Sequence, residues 1–226
     1  MNPPLSLPLL LALTLAGIVP ALALLATSFV KISLVLGSLR SAFGAPQMPG
    51  TLAVLGLSAL LTAHVMLPTA ERVQARAGAA VEQAMALDAL SPGGREAWTR
   101  AWELAKPEVV RFLRANATAG DRRFFAQLAR EAHARQGAAP TAAPTEEELA
   151  VLLPAFVLSE LTRALMVAFL VLLPFLVVDV VVANVLLATG LHALSPAAVA
   201  LPAKLLLFVM ADGWHLLARA LVLAYR

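Results

Sequence analysis

Six ionisable side chains, Glu160, Arg163, Asp179, Lys204, Asp212 and Arg219, stand in strongly apolar stretches of the chain. An ionised group near the middle of a bilayer costs at least ~2.5–3.5 kcal/mol on insertion scales, so six of them have to face protein or water rather than lipid. Their spacing offers two pairs. Glu160 and Arg163 lie one helical turn apart, and Asp179 can meet Lys204 across a helical hairpin. Two kinds of chemistry fit. The charges can form a polar seam along a conduit, or they can be ion pairs between subunits that set register. The second carries more weight for Asp179 and Lys204, because a buried pair more often specifies packing than transport. Both readings require an assembly of many helices.

Other chemistries find little footing. His64, His133, His192 and His215 are scattered, with no ligand spacing and no nearby carboxylate pattern. There is no cysteine, so neither a disulfide framework nor a thiolate metal site exists. No Ser–His–Asp arrangement and no glycine-rich phosphate loop is found, and the chain is read as a non-enzyme without a cofactor. The net charge of +3 and pI near 9.9 come without any Lys/Arg-rich run, which argues against nucleic acid as a partner.

The elements that must position these groups are apolar helices. Hydrophobic residues make up 60% of the 226 positions and charged residues only 14%, against roughly 25% charged in soluble domains. Four apolar arms cover residues 5–30, 51–68, 149–194 and 196–224. A membrane helix needs about 20 apolar residues, so each arm can span. The third is too long for one straight span and must break, tilt or run beyond the bilayer, with Pro154 and Pro174 as the expected interruptions. The first has a leader-like Ala21-Leu22-Ala23, yet no basic residue precedes it and it runs on to Val30, so it reads as a retained membrane helix.

Between the second and third arms, residues 71–148 hold 11 of the 17 Lys/Arg and 11 of the 14 Asp/Glu. That block is a small extramembrane domain of two or three short helices. One is expected over residues 95–115, with Pro107 as a break, and another over 121–134 with Asp121 as its N-cap. Residues 136–145 read as a linker and Glu146 to Glu148 as the start of the third arm. The fold class is therefore all-α, with helical hairpins in a membrane at 1–70 and 149–226 and a helical domain at 71–148. Lys31 and Arg40, taken as a short connection between the first two arms, favour the cytoplasmic side and would put the polar block in the periplasm.

Several stretches carry a family resemblance. ATSFVKISLVLGSLRSAFG at 26–44, then PQMP at 46–49, is similar to the first signature of the SctR/FliP family. LPAFVLSEL at 153–161, LPFLVVD at 173–179, Ser195-Pro196 and LPAKLLLFVMADGW at 201–214 follow in the family's order, with weaker likeness at Phe112-Leu113 and at DRRFF, 121–125. The resemblance implies a subunit of a type III secretion export apparatus in the bacterial inner membrane, projecting to the periplasmic side. Five copies would join SctS-like and SctT-like partners around a channel that passes unfolded secreted proteins. The short segment before the first signature resembles the virulence branch more than the flagellar one.

Family members often carry a methionine cluster between the last two arms, acting as a deformable gasket. Here those positions read GLHALSP, 190–196. Leu191 and Leu194, flanking His192 and Ala193, would instead supply an apolar seal that gates by dewetting. His192 either adds a titratable group at the constriction or faces a partner subunit. The competing functional classes are a small proton-coupled transporter, which usually shows more spans and an internal repeat, and a non-conducting assembly scaffold.

Overall fold

The computed structural model describes residues 17, 20–45, 47–89, 91–135, 144–191 and 193–225. His192, most of the first apolar arm and most of the 136–145 linker lie outside them. Among the described residues the regular elements are helices: α1 Phe29–Phe43, α2 Thr51–Met85, α3 Pro92–Asn116, α4 Ala119–Arg135, α5 Leu149–Ala188, α6 Pro196–Met210 and α7 Gly213–Leu223.

The short α1 is the hub. Ile32, Val35, Leu36, Leu39 and Phe43 recur at helical spacing and are buried, and Gly44 closes the helix in the left-handed region at φ 73°. These side chains pack with Val54 of α2, Ala164 and Phe175 of α5, Phe208 of α6 and Leu217 and Leu221 of α7. Phe43 meets both Phe175 and Phe208 edge-on, at centroid separations of 5.3 and 5.4 Å. The first signature is therefore a buried helix. Lys31 and Arg40 lie within α1 rather than in a connection, and Lys31 is only 1% exposed, so the positive-inside argument loses its main charge to the core.

Three prolines expected to interrupt helices do not. α5 runs 40 residues through Pro154 and Pro174, and α3 runs 25 residues through Pro107. A proline in a helix forfeits one hydrogen bond and crowds the turn before it, a cost of ~3 kcal/mol that packing can offset. Phe175, next to Pro174, is buried in the phenylalanine cluster, and Ala155 and Phe156, next to Pro154, are buried against Phe112 and Leu113. At about 1.5 Å per residue α5 is roughly 60 Å long, twice a ~30 Å hydrocarbon core, so it runs beyond the bilayer rather than breaking.

α2 also crosses an expected boundary. Its first half is apolar and its second polar, so the limit at residue 70 falls inside one 35-residue helix. The polar half packs Ala77, Gly78, Ala80 and Ala84 inward, and small side chains of this kind allow its close approach to α3. α3 starts at Ser91, whose hydroxyl accepts from the Gly94 N–H at 2.9 Å, with Pro92 in the first turn. α4 begins two residues before Asp121. Thr118 and Asp121 form a reciprocal cap there, with the Asp121 N–H donating to Thr118 Oγ1 at 3.1 Å and the hydroxyl donating back to the carboxylate at 2.6 Å.

The fourth arm, expected as one span, is two helices at 61° to each other. Asp212 takes the left-handed conformation at φ 52° in the break, and α6 ends as α7 begins. Among the described residues α2 and α5 are each long and apolar enough to cross a membrane, and α6 with α7 qualifies only as a bent pair. Only 6% of the most apolar window of α5 is buried.

The break leaves no room for a side chain after Asp212. A Cβ on Gly213 would stand 2.2 Å from the ring of buried Phe208, which Trp214 already contacts edge-on. Gly213→Ala should therefore lower stability by about 1–3 kcal/mol, the range for an overpacked core, and thermal unfolding followed by tryptophan fluorescence would read the loss.

Candidate functional site

Glu160 sits about three turns into the apolar length of α5, fully buried, and binds three partners from different parts of the chain. Lys31 of α1 is a salt bridge away at 3.3 Å, with both side chains essentially inaccessible. Arg163, one turn along α5, bonds the other carboxylate oxygen at 3.1 Å. The Tyr225 hydroxyl, from the end of the chain, donates to Glu160 Oε2. The Tyr225 ring also lies under the Lys31 ammonium, 3.7 Å from nitrogen to centroid, and stacks on Phe112 of α3. One carboxylate thus ties together α1, α3, α5 and the C-terminal segment.

The node continues into the polar domain. Arg163 donates to the Asn116 carbonyl at 2.5 Å, where α3 ends, and so covers an acceptor that the helix terminus leaves open. Beside it, the Thr118 N–H donates to Ser159 Oγ at 2.9 Å, and the Ser159 hydroxyl donates to Asp121. α4 is held against α5 through these bonds.

Of the charges singled out in the sequence, Glu160 and Arg163 meet as their spacing suggests. Lys31 and Tyr225 were missed. Lys31 stands between two apolar arms like a connection residue, although the 3–4 spacing of Ile32, Leu36, Leu39 and Phe43 around it marks a helix face. Asp179 and Lys204 are brought to 2.7 Å across the α5–α6 hairpin, with the Lys204 side chain buried and the Asp179 side chain 40% exposed. Asp212 is neither buried nor part of the node: it sits in the exposed break and bonds His215 Nδ1 at 2.6 Å. Arg219 is exposed on α7. At the hairpin tip Gly190 turns the chain at φ 72°, and Leu191, Ala193 and Leu194 all face outward.

A second charged centre was also unforeseen. Glu108 of α3 is 1% exposed and is surrounded by Arg72 at 3.1 Å, Arg76 at 3.0 Å and Arg111 at 3.2 Å. Nothing in a mixed polar block distinguishes such an acid from a solvated one.

Long apolar helices, a buried ion-pair node between them and a small helical domain docked on one of them define an all-α integral membrane protein made for assembly with other helices. The chain belongs to the FliP family, whose model matches residues 11–221. It is 36% identical to the Yop proteins translocation protein R of Yersinia pestis, over 96% of this chain and 95% of that protein. It is 41% identical to the flagellar biosynthetic protein FliP of Cereibacter sphaeroides, over 98% of this chain and 68% of that protein. The hypersensitivity response secretion protein HrcR of Ralstonia nicotianae is 35% identical over 93% of each chain.

Removing one member of a buried pair leaves the other charge uncompensated, typically at ~3–5 kcal/mol. Glu160→Gln strands Lys31 and should destabilise the chain by about that much. Adding Lys31→Met should recover a good part of the loss. Thermal unfolding of Glu160→Gln, Lys31→Met and the double variant, arranged as a double-mutant cycle, reads the coupling, and strictly additive losses would mean that the pair is not coupled.

Proposed function

We propose that this chain is a core subunit of a type III secretion export apparatus in the bacterial inner membrane. Several copies, five on the family resemblance, surround a protein-conducting channel together with SctS-like and SctT-like subunits, and unfolded secreted proteins pass through it. The observation that carries the reading is α5. Its first half is anchored by Glu160, while Leu165, Met166, Phe169, Leu170, Val177 and Val180 further along are exposed and ask for other helices to cover them.

The polar block over 71–148 is placed on the periplasmic side. The hairpin of α5 and α6 points its tip toward the channel axis, so that Leu191 and Leu194, with Ala193 and His192 between them, form the narrowest ring. The Asp179–Lys204 pair holds the two arms of that hairpin in register, and it stiffens the tip without methionine. Energy for transport comes from other components, since the role asked of this chain is to shape a passage. The virulence branch is the reading preferred over the flagellar one, with relatives named from both at 35–41% identity.

Co-purified with its SctS-like and SctT-like partners, the chain should give a complex whose mass fits five copies, and a chain that remains monomeric with both present would overturn the proposal. In cells carrying the assembled complex, Leu191→Gly combined with Leu194→Gly should raise ion leakage several-fold. Unchanged conductance would move the seal elsewhere.

A further inference from the structure

An apolar groove of about 380 Å³ lies between the helical turn before α1 and helices α2, α3 and α5, lined by Leu22, Ala26, Met66, Val109, Phe112 and Leu153 among others. Thr69 belongs to its wall, and Arg72 Nη2 donates to Thr69 Oγ1 at 3.0 Å. The same Arg72 pairs with Glu108, whose neighbour Val109 also lines the groove. Apolar groove and arginine cluster are therefore neighbours that meet at Thr69.

The cluster is over-supplied with positive charge. Arg72, Arg76 and Arg111 share the single carboxylate of Glu108, and their side chains are 42, 50 and 58% exposed, so two positive charges remain free to meet an anion. A buried acid among three guanidinium groups fixes their positions and leaves donors pointing outward. The location along α2 matters as well. Its apolar half ends at Pro68 and its polar half starts at Glu71, so Thr69 and Arg72 straddle the level where hydrocarbon gives way to headgroups. Trp102, half-exposed in the groove wall, is a residue type enriched at that level.

We propose that the groove and its arginine rim hold one anionic phospholipid. An acyl chain lies along Met66, Val109 and Leu153, and the phosphate sits on Arg72 and Arg111. A groove without the arginines would take any apolar chain, and arginines without the groove would take any anion. Their junction selects a molecule that is both, and basic pockets between helices at the membrane surface are suited to anionic headgroups. The bound lipid would also tie the turn before α1 to the polar domain.

The test uses the full chain alone, so it does not depend on the export reading. The chain, purified in detergent, is offered phosphatidylglycerol and phosphatidylcholine with matched acyl chains, and retained lipid is counted by native mass spectrometry. Phosphatidylglycerol should be kept, one per chain, with roughly thirtyfold preference, the order expected for two arginines near one lipid charge. Arg72→Gln with Arg111→Gln, which leaves Arg76 to neutralise Glu108, should bring the preference close to one. Ala23→Trp, which fills the groove, should lower retention of both lipids. If these variants fail to fold, phosphatidylglycerol with a photoreactive acyl terminus, applied to the unaltered chain, should label groove residues. Equal retention of the two lipids, labelling confined to the exposed face of α5, or no retained lipid, as expected if a partner's helix occupied the groove, would each overturn the proposal.

Discussion

Moving Lys31 and Glu160 out of water costs several kcal/mol for each ion, and mutual attraction offsets that only when geometry and further hydrogen bonds are supplied. The fold is arranged to supply them. α1 brings the ammonium, α5 the carboxylate and Arg163, and the chain end brings Tyr225, whose hydroxyl bonds the carboxylate while its ring faces the cation. Any displacement of one element exposes a charge to an apolar interior. The pair thus does more to specify which helices are neighbours than to add stability, and the phenylalanine cluster at the other end of α1 provides the apolar attraction.

Much of this was legible in the sequence, and the failures share a cause. The all-α class and the meeting of Asp179 with Lys204 followed from composition and hairpin spacing. Helix ends did not. Pro107, Pro154 and Pro174 look like stops when only the local backbone is weighed, and tertiary packing of Phe175 and Phe156 overrides them. Asp212 misled in the opposite direction. An acid in an apolar run suggests a buried pair, whereas here it occupies a left-handed break that few residue types tolerate. Lys31 was hidden because a basic residue between two apolar arms has the same local pattern as a cytoplasmic topology marker. Glu108 was hidden because only Arg111 is a neighbour by helical spacing, while Arg72 and Arg76 reach it from another helix, and an i,i+3 pair in a polar block looks like any solvated pair.

The same distribution explains how a subunit can be both membrane-derived and assembly-bound. The first part of α5 is enclosed by α1, α3 and α4 and satisfies its own polar groups, while the later part carries an apolar face that the chain does not cover. Monomeric soluble proteins rarely leave such an area open, and lipid or neighbouring helices are its two possible environments.

The separation of Lys31 from Glu160 by 129 residues also has a meaning in time. At a synthesis rate of about 5–20 residues per second, the ammonium leaves the ribosome on the order of ten seconds before its carboxylate exists, and Tyr225 arrives last of all. During that interval α1 is an apolar helix carrying an unanswered charge, which disfavours commitment to lipid.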